Sequence, residues 1–235
     1  MKQHLINVYI LLIFTSGSIF SQVTSEQIHY GASSLSMAAS DIALPKTSWS
    51  AFVNSAGIVD QQGLTFVASS QSHFSQDFLS HSLFGVQFKN SKYGSFGISF
   101  ENSSVDYSGK NLATETAIGV HQGISLRSDR NSSFSFGYGL KSYTVDYGSS
   151  AGPSGDGSDG IELGSLNAFG LDVSFLGSLG KRIKVGAKAL NINSPTLGNA
   201  NLATRLPQRS QIGLAYSPYD LVWTTAALNK SVGHP

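Results

Sequence analysis

The stretch from Ala117 to Leu140 constrains the fold more than any other part of the chain. Ile118, Val120, Ile124 and Leu126 take the even positions of its first arm, and Gly119, His121, Gly123, Ser125 and Arg127 the odd ones. On the second arm Phe134, Phe136, Tyr138 and Leu140 alternate with Ser135, Gly137, Gly139 and Lys141. Ser128, Asp129, Arg130 and Asn131 join the arms, a short polar link suited to a tight hairpin. Successive strand residues point to opposite faces, so the ribbon is apolar and aromatic on one side and small or charged on the other. One face needs an apolar medium and the other does not.

A soluble sandwich would bury the apolar face against a second sheet. A membrane barrel would turn it to lipid and give the other face to a lumen. Glycine weakens a strand, yet it recurs on the second face, which favours a curved wall against a crowded interior. The sequence of 235 residues has 25 glycines, only 12% charged residues and a formal charge of +1. That balance offers no basic patch for nucleic acid. With no cysteine, disulfide scaffolds, thiolate metal sites and a lipid-anchor cysteine are excluded. No apolar run reaches the roughly 18 residues of a membrane-spanning helix.

The alternation recurs in nine candidate strands. Those outside the hairpin are Leu64 to Ser70, Leu83 to Lys89, Tyr93 to Asn102, Phe169 to Phe175, Ile183 to Ala189, Gln211 to Tyr216 and Leu221 to Asn229. The links Asn90 to Lys92, Ser128 to Asn131, Leu179 to Lys181 and Ser217 to Asp220 are short. Those between them, Gln71 to Ser82, Ser103 to Ala113, Gly148 to Leu166 and Asn193 to Arg209, are long. Outer-membrane barrels keep short turns at the periplasmic end and long loops outside. The expected fold is therefore all-β, an antiparallel up-and-down transmembrane β-barrel. Bacterial single-chain barrels use even strand numbers, so about nine strands of a larger, C-terminally truncated barrel are expected.

Residues 1–21 are expected to be a signal peptide, residues 22–63 a periplasmic N-terminal segment or hatch, and residues 64–235 the partial barrel. Lys2 and His4 precede the apolar run Leu5 to Phe14, and Ser16 to Ser21 are small, the pattern of an export signal. Gly31 to Ser40 is rich in small residues and is followed by Phe52, Asn54, Ala56 and Gly57. This resembles the N-terminal segment of outer-membrane barrels of the PorV/PorQ type, related to the FadL fatty-acid channels. There a G-A-R-S-L-G-M-G-G-A stretch leads, about 20 residues on, to an aromatic followed by N-P-A-G-L. Gly31, Ala32, Ser34, Leu35 and Met37 match the first part, and Phe52, Asn54, Ala56 and Gly57 the second. Ser33, Ser36 and Ser55 depart from it. Gly170 to Ser174 and Val185 to Ile192 resemble a later strand pair of that family, with Asn191 at its asparagine.

The resemblance implies a protein of the bacterial cell outer membrane, in contact with outer-membrane lipid. It implies a non-enzymatic part in type IX secretion, binding or shuttling secreted cargo or other secretion-system proteins. Its alternative is FadL-like uptake of hydrophobic small molecules. A soluble β-sandwich surface adhesin is a second alternative. The chain is not expected to be an enzyme or to need a cofactor. Its histidines, His4, His29, His73, His81, His121 and His234, show no metal spacing, and no serine sits in a G-x-S-x-G elbow. Asp156 to Gly160 lacks the remaining ligands of a calcium loop and reads as a glycine-rich outer loop. Lys89, Glu101, Arg127, Lys141, Asp172, Lys184 and Lys188 form the expected lumen-facing set, either ion-paired across the interior or lining a pore. Trp49, Phe52, Leu64 and Phe66 are expected to pack at a barrel end or to line an apolar path.

Overall fold

In the computed structural model, residues 30–44, 46–72, 78–90, 92–107, 109–150, 152–154, 159–198, 204–219 and 221–232 are described. The expected signal peptide, His73 and Asp156 to Ser158 lie outside them. Nine strands form one antiparallel sheet: β1 (Leu64–Ser72), β2 (Leu79–Phe88), β3 (Ser95–Tyr107), β4 (Lys110–Ser128), β5 (Ser132–Ser149), β6 (Glu162–Leu179), β7 (Ile183–Leu190), β10 (Gln208–Tyr219) and β11 (Val222–Val232). Each pairs with its predecessor in this order, an up-and-down meander curled into a half-barrel. The short ribbon β8 (Thr196–Leu197) with β9 (Thr204–Arg205) interrupts it between β7 and β10. β1 and β11 are the edges, and with nine alternating strands they run in the same direction.

The hairpin that fixed the expectation is formed by β4 and β5, with Val120 opposite Leu140 and Ile124 opposite Phe136. Its period of two sorts the side chains as the sequence suggests. Val120, Leu140, Ile118 and Phe169 are exposed on the convex face, whereas Gly119, His121, Gly137 and Gly139 are buried on the concave one. The concave wall is glycine-rich because another segment lies against it. A Cβ at Gly137 would sit 2.2 Å from the Ala56 nitrogen, and one at Gly186 would sit 2.4 Å from the Ile42 carbonyl oxygen. Only a residue without a side chain permits that approach.

That segment is the N-terminal one. It carries two short helices, Gly31–Ser36 and Ser50–Val53, and a 3-10 helix, Ser55–Asp60. The described residues of 30–61 pack into its concavity. Tyr30, Ile42, Ala51, Phe52, Val53 and Ile58 form an apolar core there with Leu83. Trp49 packs its ring 5.4 Å from that of Phe52. Leu64 and Phe66, expected near them, point outward and are exposed, because β1 obeys the same alternation.

One of the links expected to be long departs from expectation. Ser103 to Ala113 is almost wholly strand, since β3 and β4 continue to within two residues of each other. Polar cross-strand pairs replace apolar ones there: Asn102 donates to Thr116 Oγ1 at 3.1 Å, and Ser80 and Ser104 share a hydrogen bond of 2.8 Å. Alternation of apolar and polar residues marks only the part of a strand that meets an apolar medium, so the polar extension reads as loop. β4 has 19 residues, roughly 60 Å of extended chain, well above the roughly 9–11 residues that cross a bilayer.

Candidate functional site: a filled concave face

The N-terminal segment is fastened by side chains from both ends of the sheet. Asn54, the asparagine of the F-x-N-x-A-G stretch, accepts from the Ala56 N–H at 3.1 Å and so caps the 3-10 helix. Its Nδ2 donates to the carbonyls of Ile42 at 2.9 Å and of Phe175, on β6, at 3.1 Å. One small amide thereby joins two parts of the segment to the wall. The Ala56 N–H also donates to Ser174 Oγ at 3.0 Å. Phe52 rests on Gly85, where an added Cβ would meet its ring at 2.6 Å. Gly31 has φ +74 and lies under the Trp49 ring, so both conformation and space call for glycine. Gly57 and Ala56 are buried, and Met37, which ends the first short helix, is half-buried.

Two glutamines hold the flanks. Gln87 of β2 accepts from the Ala51 N–H at 3.1 Å and donates to the Ser48 carbonyl at 2.9 Å. Gln211 of β10 donates to the Ala39 carbonyl at 2.6 Å, and Ser40 bonds Thr225 of β11 at 2.7 Å. Asp60 accepts from Lys184 at 3.0 Å.

Above this packing lies a buried polar layer. Lys141 of β5 donates to Glu101 of β3 at 3.2 Å and lies 3.8 Å from Asp172 of β6. Their side chains are 4%, 11% and 7% exposed, so the Lys141 ammonium stands between two carboxylates out of water. Asp172 also accepts from the Asn191 N–H at 2.9 Å, while Asn191 receives the Tyr143 hydroxyl at 3.2 Å and donates to the Pro207 carbonyl at 3.1 Å. Lys188 places its ammonium 5.4 Å from the centre of the Tyr30 ring. Burial pushes the Tyr30 hydroxyl up to about 12. His121 bridges the N-terminal segment and the wall, with Ser55 Oγ 3.0 Å from Nδ1 and Ser99 Oγ 2.8 Å from Nε2. Beyond the layer lies a second apolar cluster, including Ala117, Tyr143, Val145, Leu197 and Leu206, the last two from the β7–β10 connection.

Of the expected inward set, the fold brings Glu101, Lys141 and Asp172 together, and it places Lys184 and Lys188 on the same face. Lys89 and Arg127 do not belong to it. Lys89 follows the end of β2 and is exposed in the turn. A bulge between Ser125 and Arg127 sets Arg127 opposite Phe134, on the outward register, where it pairs with Asp129 at 2.6 Å in solvent. The sequence reading did not single out Ser55, Ser99, Tyr30, Gln87 or Gln211 as fasteners. Gln87 and Gln211 carried a signal: a long amide among the small residues of a concave strand face marks a gap to be bridged.

The arrangement fastens the N-terminal segment to the concave face of the sheet. His121 is buried between two hydroxyls, and among the described residues no group of three or more His, Asp or Glu side chains could hold a metal. Among those residues no helix is long and apolar enough to cross a membrane. No family model, no curated protein and no solved structure matches the chain.

Proposed function

We propose that the chain is a non-enzymatic outer-membrane β-barrel protein, of the PorV/PorQ type, that binds or passes on secreted proteins in type IX secretion. The observation that carries the membrane reading is the convex face. Phe84, Phe100, Ile118, Val120, Leu140, Phe169, Ile212 and Leu214 are exposed there, with no second sheet over them among the described residues. This apolar belt ends along one line: Ser82 faces Asn102, Asn102 faces Thr116, Thr116 faces Thr144 and Thr144 faces Asn167. A hydrocarbon–water boundary crossing five strands would select such a row. Tyr93 and Tyr219 are exposed at the opposite end of the belt, as in an interfacial aromatic girdle. A soluble sandwich would need the Phe134 face covered, and Phe134 remains 41% exposed.

The filled interior favours protein handling over uptake of hydrophobic molecules. A FadL-like path needs an apolar passage, whereas the N-terminal segment, the Glu101–Lys141–Asp172 layer and the Leu197–Leu206 cluster stack along the concave face. Work would then be done at the rim, where β3 to β6 extend past the belt. The test is twofold. The protein should fractionate with the outer membrane and migrate faster unboiled than boiled, and cells lacking it should retain secreted proteins in the periplasm. Normal secretion combined with loss of fatty-acid uptake would replace this reading with the channel one.

A further inference from the structure

The near-neutral charge of the chain is unevenly spread over the fold. The turns β2–β3, β4–β5 and β6–β7 lie at one end of the sheet, each two strands from the next and so about 10 Å apart. Each turn carries two cations: Lys89 and Lys92, Arg127 and Arg130, Lys181 and Arg182. All six residues are exposed. One carboxylate stands among them, Asp129, which pairs with Arg127. Among the described residues, Lys89, Arg130, Lys181 and Arg182 have no side-chain hydrogen bond or ion pair. The second and third turns are fixed against each other, because the Gly180 N–H donates to the Asn131 carbonyl at 2.6 Å. The fourth turn of this end, β10–β11, carries Tyr219 and Asp220 and no cation.

These cations border the apolar belt. Leu126, Phe134 and Leu179 are exposed beside them, and Arg127 stands opposite Phe134 on the outward register. Lys92 places its ammonium 5.0 Å from the centre of the exposed Tyr93 ring. The other margin of the belt differs. Its row from Ser82 to Asn167 holds only hydroxyls and amides, and the row beyond sets Asp146 opposite Thr114. An apolar surface with guanidinium and ammonium groups along a single margin is complementary to acyl chains that carry phosphate.

We infer that this surface recognises anionic phospholipids, their acyl chains on the belt and their phosphate head groups among the cations of the three turns. The assignment rests on the membrane reading and goes beyond it by naming the lipid class and the margin that meets it. It also gives a place to Lys89 and Arg127, which strand parity alone had assigned to the lumen.

The test is lipid retention by the full-length chain in maltoside micelles, read by native mass spectrometry after equilibration with equal amounts of phosphatidylglycerol and phosphatidylcholine of the same acyl chains. Phosphatidylglycerol should be retained about tenfold over phosphatidylcholine. The triple variant Arg130→Gln, Lys181→Gln, Arg182→Gln should bring the ratio to about twofold or less. Sodium chloride at about 0.5 M should do the same to the unaltered protein, which keeps the test independent of how the variant folds. Lys110→Gln with Lys230→Gln, at the other end of the strands, should leave the ratio unchanged. Equal retention of the two lipids by the unaltered protein, or an equal loss in the Lys110 and Lys230 variant, would overturn the assignment and leave the membrane reading standing. Displacement of phosphatidylglycerol by inorganic phosphate at equal concentration would also overturn it, by assigning the cations to a free anion. Retention of neither lipid by a chain that stays soluble without detergent would defeat both readings.

Discussion

Adding one methyl group at Gly137 should unseat the N-terminal segment. The new Cβ would lie 2.2 Å from the Ala56 nitrogen and 2.5 Å from the Ser55 carbonyl carbon, both backbone atoms that no rotamer change can move. The 3-10 helix must retreat, and the Ala56 hydrogen bonds to Asn54 and Ser174 stretch with it. Overpacking of this kind costs about 1–3 kcal/mol. Weakening two buried hydrogen bonds adds about 1 kcal/mol each. The reduced freedom of the unfolded chain returns about 0.4–1 kcal/mol. Gly137→Ala should therefore destabilise the protein by about 2–5 kcal/mol. Gly177→Ala supplies the comparison, since its Cβ would face outward with nothing nearer than 3.7 Å. It should be neutral or mildly stabilising. Urea titration of both variants in detergent gives the difference, and limited proteolysis should cut the N-terminal segment of Gly137→Ala first. Equal midpoints would refute the claim that the glycine wall exists to admit that segment.

Removing the buried cation by Lys141→Met should cost about 3–5 kcal/mol, because Glu101 and Asp172 remain without it; adding Glu101→Gln should recover part of the loss in the same urea titration. Val120→Arg, at mid-belt, should cost about 2–4 kcal/mol on refolding into lipid vesicles, whereas Thr144→Arg, on the boundary row, should cost about 1 kcal/mol or less. Equal costs would refute the placement of the belt. Tyr30 fixes a pH effect: its hydroxyl is pushed above the ordinary value, so the fold prefers the neutral phenol. The stability this gives is whole below about pH 10 and falls as pH rises towards and through about 12. Tyrosinate absorbance should show the late-ionising fraction of the native protein reduced by one tyrosine in Tyr30→Phe.

The strands were legible because each β-strand residue chooses between only two faces. Phe84, Ile98, Val120, Phe136 and Phe175 declare the outer face, and the glycines between them declare the inner one. The curl and the occupied interior followed from the glycines that recur on the inner face. A hatch was among the expectations for residues 22–63, but how residues 30–61 seat against those glycines was not legible, since they carry no period and Asn54 and Ala56 reach β6 across more than a hundred residues. The charged set was half legible. Inward register found Glu101, Lys141 and Asp172, but parity counting fails across a bulge and beyond a strand end, which misplaced Arg127 and Lys89. The polar extensions of β3 and β4 were hidden for a related reason: their side chains hydrogen-bond across strands and show no hydrophobic contrast.

The seat of the N-terminal segment carries a kinetic consequence. Ser40 bonds Thr225 across 185 residues, and Ala39 receives Gln211 across 172. The part of the chain made early cannot reach its final place until β10 and β11, made late, have joined the sheet. Loop closure over such spans is slow. The meander can zip from one neighbouring strand to the next through local contacts, so the sheet should curl first and the N-terminal segment should settle last. A refolding experiment should then show two phases, strand formation followed by slower burial of Trp49.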